Sequence, residues 1–327
     1  MKILITGGSG FIGTNLIEKL LTEGHYTILN IDCTKPYDAK HLPYWENCDL
    51  MNENQVNQAF QNFKPEAVVH LAARTDTDPK NTLDDYKLNT QGSTNLINAI
   101  KNCSNVKKVV FTSTQFVHQY KQLPKHDEDF APHTVYGESK VIMEKNIRNA
   151  DLMCIWTIIR PTNIWGPWHL RYPYEFWKVL SKGLYIHPGR VPVIRSYGYV
   201  GNVAFQIISI LKSEHRKVDK KVFYVGDSPI DLYDWVNGFS VKQTGKKVRV
   251  VPRAFVKMLA WVGDVFALAN VKFPITSSRY KSMTNSNSAP MEKTLMEFGN
   301  PPYSLEQGIE ETVQWMKIHH PDLVRIK

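Results

Sequence analysis

Long apolar runs are missing from this sequence of 327 residues. No stretch approaches the roughly 18 consecutive apolar residues that a bilayer-spanning helix needs, so a transmembrane segment is not expected. The amino-terminal Met1-Lys2-Ile3-Leu4-Ile5-Thr6 is too short in its apolar part for a signal peptide and reads as a buried strand. Cysteine is scarce and scattered over Cys33, Cys48, Cys103 and Cys154. None of these pairs as CxxC or clusters as zinc ligands do, which implies reduced thiols, no metal site and a cytoplasmic setting. The GxxxxGK[ST] pattern of P-loop kinases and ATPases does not occur. Repeats and low-complexity segments are also lacking. With 43% hydrophobic and 22% charged residues, the composition is that of an ordinary folded domain. Acidic residues are outnumbered, for a net charge of +9. The lysines are dispersed or in short pairs such as Lys107-Lys108 and Lys246-Lys247, which suits solvated faces and anionic ligands better than a nucleic-acid track.

What is present is an alternation of short β-branched runs with longer amphipathic stretches. Candidate strands are Lys2–Thr6, Tyr26–Ile31, Ala67–Leu71, Lys107–Ser113 and Cys154–Ile159. Candidate helices are Phe11–Glu23, Asn52–Asn62, Asn81–Asn102 and Tyr136–Asn149. This order predicts βαβ units, hence an α/β fold with a doubly wound parallel sheet. After Arg160-Pro161 the chain becomes rich in aromatics, Pro and Gly, and helical patterns return at Val200–Leu211, Leu232–Gln243, Phe255–Ala269 and Ser304–Lys317. The expected organisation is a nucleotide-binding domain over 1–164, with about 199–226 returning to it. A smaller mixed α/β cap would take 165–198 and 227–327. The aromatic cluster Trp165, Trp168, Tyr172, Tyr174, Phe176 and Trp177 reads mainly as packing. The apolar stretch Ala254–Ala269 reads as a buried helix, with a membrane-facing one as the alternative.

The first strand runs directly into Thr6-Gly7-Gly8-Ser9-Gly10-Phe11-Ile12-Gly13. Glycines at this spacing make a tight strand-to-helix turn, let a pyrophosphate approach the backbone and let the helix pack on the sheet. The helix amino terminus then presents N–H groups and a partial positive charge to the phosphates. Asp32 closes the second strand, where a carboxylate accepts hydrogen bonds from both adenosine ribose hydroxyls and repels a 2′-phosphate. The expected cofactor is therefore NAD rather than NADP.

Tyr136-Gly137-Glu138-Ser139-Lys140 places a tyrosine and a lysine on one helical face. A lysine ammonium near the phenol is expected to lower its pKa from about 10 toward neutrality. A second YxxxK, Tyr174 to Lys178, lies in the aromatic region away from any cofactor strand. The hydroxyl-rich strand end Thr112-Ser113-Thr114 precedes Tyr136 and offers a group to hydrogen-bond a reacting oxygen.

Taken in order, TGGSGFIG, Asp32, His70-Leu71-Ala72-Ala73, Asn89-Thr90-Gln91-Gly92-Ser93, Thr112-Ser113-Thr114, YGESK and Arg160-Pro161-Thr162-Asn163-Ile164-Trp165-Gly166-Pro167 resemble the extended short-chain dehydrogenase/reductases. These include the NAD-dependent sugar-nucleotide epimerases and dehydratases. The resemblance covers roughly the first 200 residues and implies a Rossmann-type domain. It makes Tyr136 the catalytic acid/base, Lys140 its partner and a ribose ligand, and Thr114 the family's Ser/Thr. Gly7, Gly10, Phe11, Ile12 and Gly13 match the pyrophosphate loop, and Asp49-Leu50 the pair that reaches the adenine. Leu71, Ala72 and Ala73 line the cofactor groove, supported by Asn89. Asn163 and Arg195 resemble contacts to the substrate's diphosphate, and Arg74, at a strand's carboxyl end, is a further ligand candidate.

The implied activity is hydride transfer at a hydroxyl or keto carbon of a nucleotide sugar. Gln115 and Phe116 stand where the family's 4,6-dehydratases carry Asp-Glu, which favours an epimerase, 4-keto reductase or dehydrogenase over a dehydratase. The alternative is an NAD(P)-dependent dehydrogenase of an apolar steroid or lipid-linked substrate, suggested by Ala254–Ala269. The resemblance also implies a homodimer through Asn81–Asn102 and Tyr136–Asn149. His70 is expected to be structural, and His118 stands close to the catalytic strand.

Overall fold

The computed structural model describes residues 1–118, 123–170, 176–268, 271 and 273–325; Gln119, Tyr172, Tyr174, Ala269 and Lys272 lie outside them. Two compact units divide the chain. The first holds Met1–Trp168, Gly198–Asp227 and Ala289–Pro302, and the second His169–Tyr197, Ser228–Ser288 and Tyr303–Lys327.

The first unit begins with β1 (Lys2–Thr6), α1 (Phe11–Glu23), β2 (Thr27–Asp32), β3 (Trp45–Asn47), α2 (Glu53–Phe63), β4 (Ala67–His70), α3 (Ser93–Lys101), β5 (Lys108–Thr112), α4 (Val135–Arg148), β6 (Ile155–Pro161) and β7 (Asn163–Trp165). Next come α5 (Lys178–Ser181), β8 (Ile186–Pro188) and β9 (Ile194–Arg195) of the second unit, then β10 (Tyr197–Tyr199) at the boundary. The chain returns to the first unit for α6 (Val200–Lys212), α7 (His215–Val218) and β11 (Lys221–Val225). β12 (Ile230–Asp231), α8 (Leu232–Thr244), β13 (Arg249–Val251), α9 (Arg253–Leu268) and α10 (Ser277–Thr284) belong to the second unit, α11 (Glu292–Phe298) to the first and α12 (Leu305–His319) to the second.

Seven strands form one parallel sheet in the order β11-β6-β5-β4-β1-β2-β3. The run β3-β2-β1-β4-β5-β6 is the Rossmann order, which reverses between β1 and β4 and opens a crevice at their carboxyl ends. β4, Ala67-Val68-Val69-His70, is buried at every position, as a strand covered on both faces must be. Alternate side chains serve opposite layers. Leu4, Val68, Val109 and Ile158 pack with Val56 and Phe60 of α2, Leu96 and Ile100 of α3, and Met143 and Ile147 of α4. α1 packs with α6.

Three expectations change. The segment 289–302 belongs with the sheet, because Thr294 donates to the Tyr224 carbonyl of edge strand β11 at 2.6 Å and Met291 packs on Tyr224. The single helix expected over Asn81–Asn102 is broken into a 3-10 turn (Leu83–Tyr86), a π-helical stretch (Leu88–Gly92) and α3. Thr82 and Asp85 form a capping box that closes the first turn, and Asn89 is drawn to the Arg74 backbone. The expected buried helix α9 buries only Val256, Ala260 and Gly263. A Cβ on Gly263 would lie 1.9 Å from the Ile275 carbonyl oxygen, so the chain packs closely along a stripe of small residues while the bulky ones face out.

In the second unit, α8 packs on α12, and Trp235 stacks on Phe176 at 5.0 Å and on Tyr197 at 4.7 Å. Trp165 of the first unit and Trp177 of the second are fully buried, so both pack as core. All four cysteines are free thiols. Among the described residues no helix is long and apolar enough to cross a membrane.

Candidate active site

The site grows from the reversal point of the sheet. Gly7 leaves β1 with φ +71°, and a Cβ there would lie 2.5 Å from the Ala72 nitrogen. The turn after β1 and the Leu71-Ala72-Ala73 loop after β4 therefore touch backbone to backbone across the crevice. A Cβ on Gly13 would lie 2.5 Å from the Gly8 Cα, so α1 also needs glycine to meet the turn it leaves. Gly10 occupies the N-cap and brings no side-chain acceptor to the first turn of α1.

Asp32 stands at the end of β2 beside this turn. Its carboxylate accepts from the Ser9 amide at 3.2 Å and the Thr34 amide at 2.9 Å. Burial raises its pKa above the usual carboxylate value, and the two amides pull it back. Leu50 is buried and Asp49 exposed after β3. The Asp49 side chain accepts from the Met51 amide at 2.9 Å, and the Leu50 carbonyl accepts from Asn95 at 2.9 Å.

Thr114, Tyr136 and Lys140 come from the turn after β5 and the first turns of α4. The two elements meet closely, because a Cβ on Gly137 would lie 2.4 Å from the Phe116 carbonyl oxygen. Thr134 caps α4 by accepting from the Gly137 amide at 3.0 Å. Tyr136 is sealed between Tyr86 and Phe116, each ring 6.2 Å away. Burial pushes its phenol up to about 12, and the Thr114 side chain offsets part of this. Lys140 is also buried; its Nζ donates to the Thr112 carbonyl at 2.8 Å, and burial pushes its pKa down to about 7. Burial thus opposes the lowering of the phenol's pKa expected from the Lys140 ammonium. Burial weakens the lysine's hold on its charge, and one Nζ hydrogen is given to β5.

Asn89 is fully buried and supports the site rather than reaching into it. It accepts from the Arg74 amide at 2.8 Å and donates to the Arg74 carbonyl and the Ser139 hydroxyl, both at 2.9 Å. Ser139 in turn donates to the Tyr136 carbonyl at 2.7 Å. One amide thus ties the loop after β4 to the helix that carries the phenol. The Arg74 guanidinium is held by Asp76 at 2.6 Å, by Asp85 and by Asn81, so it is engaged within its own loop. Asn163 accepts from Gln115 at 3.1 Å. Arg195 belongs to the second unit, where it lies on β9 opposite Ile230 and donates to the Ser282 carbonyl.

His70 spans Thr6 at 2.7 Å and Ser93 at 2.9 Å, and burial holds its pKa down at about 3, a structural neutral imidazole. His118 meets Arg160 at 3.1 Å, and burial followed by that guanidinium pushes it down to about 4. Both stay neutral in the folded chain and charge on unfolding once pH falls below 6.5. The unfolded chain then binds more protons, so stability drops as pH falls from 6.5 toward about 4. Asp227, raised to about 6 by burial, runs the opposite way and offsets one of the two histidines. Urea unfolding midpoints should therefore decline over this pH range, most clearly in an Asp227→Asn variant that lacks the opposing group.

A family model for the NAD dependent epimerase/dehydratase family matches residues 3–226, over half of the chain. The chain belongs to this family. An N-acetyl-alpha-D-glucosaminyl-diphospho-ditrans,octacis-undecaprenol 4-epimerase of Escherichia coli O157:H7 is 26% identical over 97% of this chain and 96% of its own length. A UDP-glucose 4-epimerase of Vibrio cholerae is 26% identical over 96% of this chain and 94% of its own. Among solved structures, the UDP-glucose 4-epimerase of Thermotoga maritima, crystallised with UDP-glucose, superposes with a TM-score of 0.73 at 23% identity, covering 98% of this chain and 99% of that one. NAD is the cofactor of this epimerase/dehydratase family member. The residues present fit it: Gly7 and Gly13 leave no room for a Cβ against the neighbouring backbone, which keeps the turn tight, and Gly10 leaves the amino terminus of α1 without a side chain.

One pair of residues within the family fold was not singled out from the sequence. Arg160 of β6, fully buried, is held by both Glu144 oxygens of α4, Nε at 2.9 Å and Nη2 at 2.8 Å. Its guanidinium also lies 5.6 Å from the Phe130 and Tyr224 rings. The pair locks the helix bearing Tyr136 and Lys140 to the sheet. The arginine in Arg160-Pro161 was its only sequence signal.

Proposed function

We propose that the protein is an NAD-dependent epimerase or 4-keto reductase/dehydrogenase of a nucleotide sugar, with Tyr136 as acid/base. The observation that carries this reading is the placement of Thr114, Tyr136 and Lys140 on the turn and helix that follow β5. Asn89 ties that helix to the loop after β4, which borders the glycine turn. Gly7, Gly10, Phe11, Ile12 and Gly13 would hold the pyrophosphate, Asp32 the adenosine ribose, Asp49 and Leu50 the adenine end, and Leu71, Ala72 and Ala73 the groove. Lys140 would reach the nicotinamide ribose. NAD supplies, when bound, a hydride acceptor and a cationic ring that favours the phenolate.

The phenol oxygen of Tyr136 then takes the proton of a sugar hydroxyl as the sugar carbon is oxidised, and the Thr114 hydroxyl hydrogen-bonds the same oxygen. Returning the proton and the hydride to the transient ketone gives the epimer. Asn163 and Arg195 are assigned to the substrate's diphosphate, with Arg74 acting through the loop it braces. The catalytic unit is proposed to work as a homodimer through α3 and α4 in the cytoplasm, which light scattering checks for the oligomer.

Incubation with a panel of UDP- and GDP-sugars and NAD, read by mass spectrometry and NMR, tests the reading. Interconversion of epimers without net NADH supports an epimerase, and NADH accumulation supports a dehydrogenase. No change in any sugar would contradict both. For Asp32→Ala, we expect NAD affinity to fall about tenfold to a hundredfold, the cost of one or two hydrogen bonds to a charged acceptor. NADP affinity should not fall with it, because the repulsion of the 2′-phosphate is lost. Calorimetric titration with both cofactors checks this.

A further inference from the structure

The second unit carries an apolar surface that its own core does not use. α9 turns Val256, Ala260 and Gly263 inward. Phe255, Met258, Trp261, Val262, Val265 and Leu268 are 41% to 87% exposed. Their spacing of three and four residues sets them along one side of the helix. Scattered single apolar residues are ordinary on a protein surface, but six large ones on a single helix mark an interaction site.

Basic residues are concentrated in the stretch of sequence that holds this helix. Residues 235–291 contain nine basic side chains and one acid, Asp264, and so carry +8 of the chain's net +9. That acid is engaged, since it accepts from the Ser277 amide at 2.9 Å. Of the bases, Lys242 is paired with Glu310. Lys257 lies on α9 itself, 5.4 Å from the Trp261 ring. Lys182, Lys246, Lys247, Arg249 and Arg325 line a cleft of about 240 Å³ in the same unit, and no acid lines it.

An apolar helical face set in a strongly basic segment matches a surface that is apolar inside and anionic at its boundary. A second copy of this chain fits less well, because pairing the face with itself would bring two segments of charge +8 together. We propose that the outward face of α9 seats the second unit on an anionic lipid bilayer, with the helix lying in the interface plane. Insertion of the apolar side chains and attraction of the basic ones act together, the two signals that stable peripheral binding needs.

Flotation of the full chain with vesicles tests it. The protein should rise with phosphatidylcholine vesicles that contain phosphatidylglycerol at low salt, and much less with phosphatidylcholine alone or at high salt. The double variant Val265→Asp/Leu268→Asp should reduce the bound fraction about tenfold or more. Both side chains are already exposed, so the variant should keep the parent's thermal midpoint and NAD titration. Failure of the parent to float with anionic vesicles, or equal flotation of parent and variant, would overturn the proposal. So would a parent that does not float but forms a dimer which the variant loses, since α9 would then be a subunit interface. Inactivity on every nucleotide sugar would leave the flotation result unaffected.

Discussion

Replacing Tyr136 with phenylalanine should lower kcat on the nucleotide sugar by about 10²–10⁴-fold, the usual worth of a positioned acid or base. NAD affinity should be unchanged, because the ring stays between Tyr86 and Phe116 and only the hydroxyl is lost. Steady-state kinetics with the substrate found by the sugar panel, alongside calorimetric titration of NAD, reads both quantities. Full turnover in the phenylalanine variant would remove this residue from the chemistry. The expectation follows from the environment of the phenol. With its pKa pushed up to about 12 by burial, it is held protonated by the protein's own groups, so it is poised as an acid. Acting as a base requires positive charge brought by the cofactor.

Glu144→Ala should destabilise the fold by about 3–5 kcal/mol, because it strands the Arg160 guanidinium without its counter-ion in a fully buried position. Replacing both partners by apolar residues, Glu144→Leu with Arg160→Met, should recover much of that loss. Denaturant unfolding of the two variants and the parent distinguishes the cases. A small loss in the single variant would mean that Tyr224 and Phe130 suffice to hold the cation. Because α4 carries both this ion pair and Tyr136, a weakened pair should also reduce turnover before the protein unfolds.

The parts legible in the sequence are those in which the chemistry is local. The glycine turn, Asp32 and the Tyr136–Lys140 pair each depend on a few residues at fixed spacing along one strand or helix, and such spacing survives into three dimensions. The parallel sheet followed from the alternation of strands and helices, and its order placed the crevice between β1 and β4. The Arg160–Glu144 pair was not legible, since it joins residues on different elements and nothing local marks a buried arginine's partner. The break between Leu83 and Gly92 was missed because Asn89 is captured by the backbone of a loop 15 residues earlier, a contact no periodicity reports. α9 was misread for another reason. Its apolar pattern was plain, but periodicity does not say whether the large or the small side packs inward, and here Val256, Ala260 and Gly263 do.

The most direct test is a crystal structure of the protein with NAD. The pyrophosphate is expected against Gly7–Gly13, the ribose hydroxyls on Asp32, and the nicotinamide ring within reach of the Tyr136 oxygen. A complex in which that ring lies away from Tyr136, or crystals and solutions in which the dinucleotide does not bind at all, would contradict this expectation.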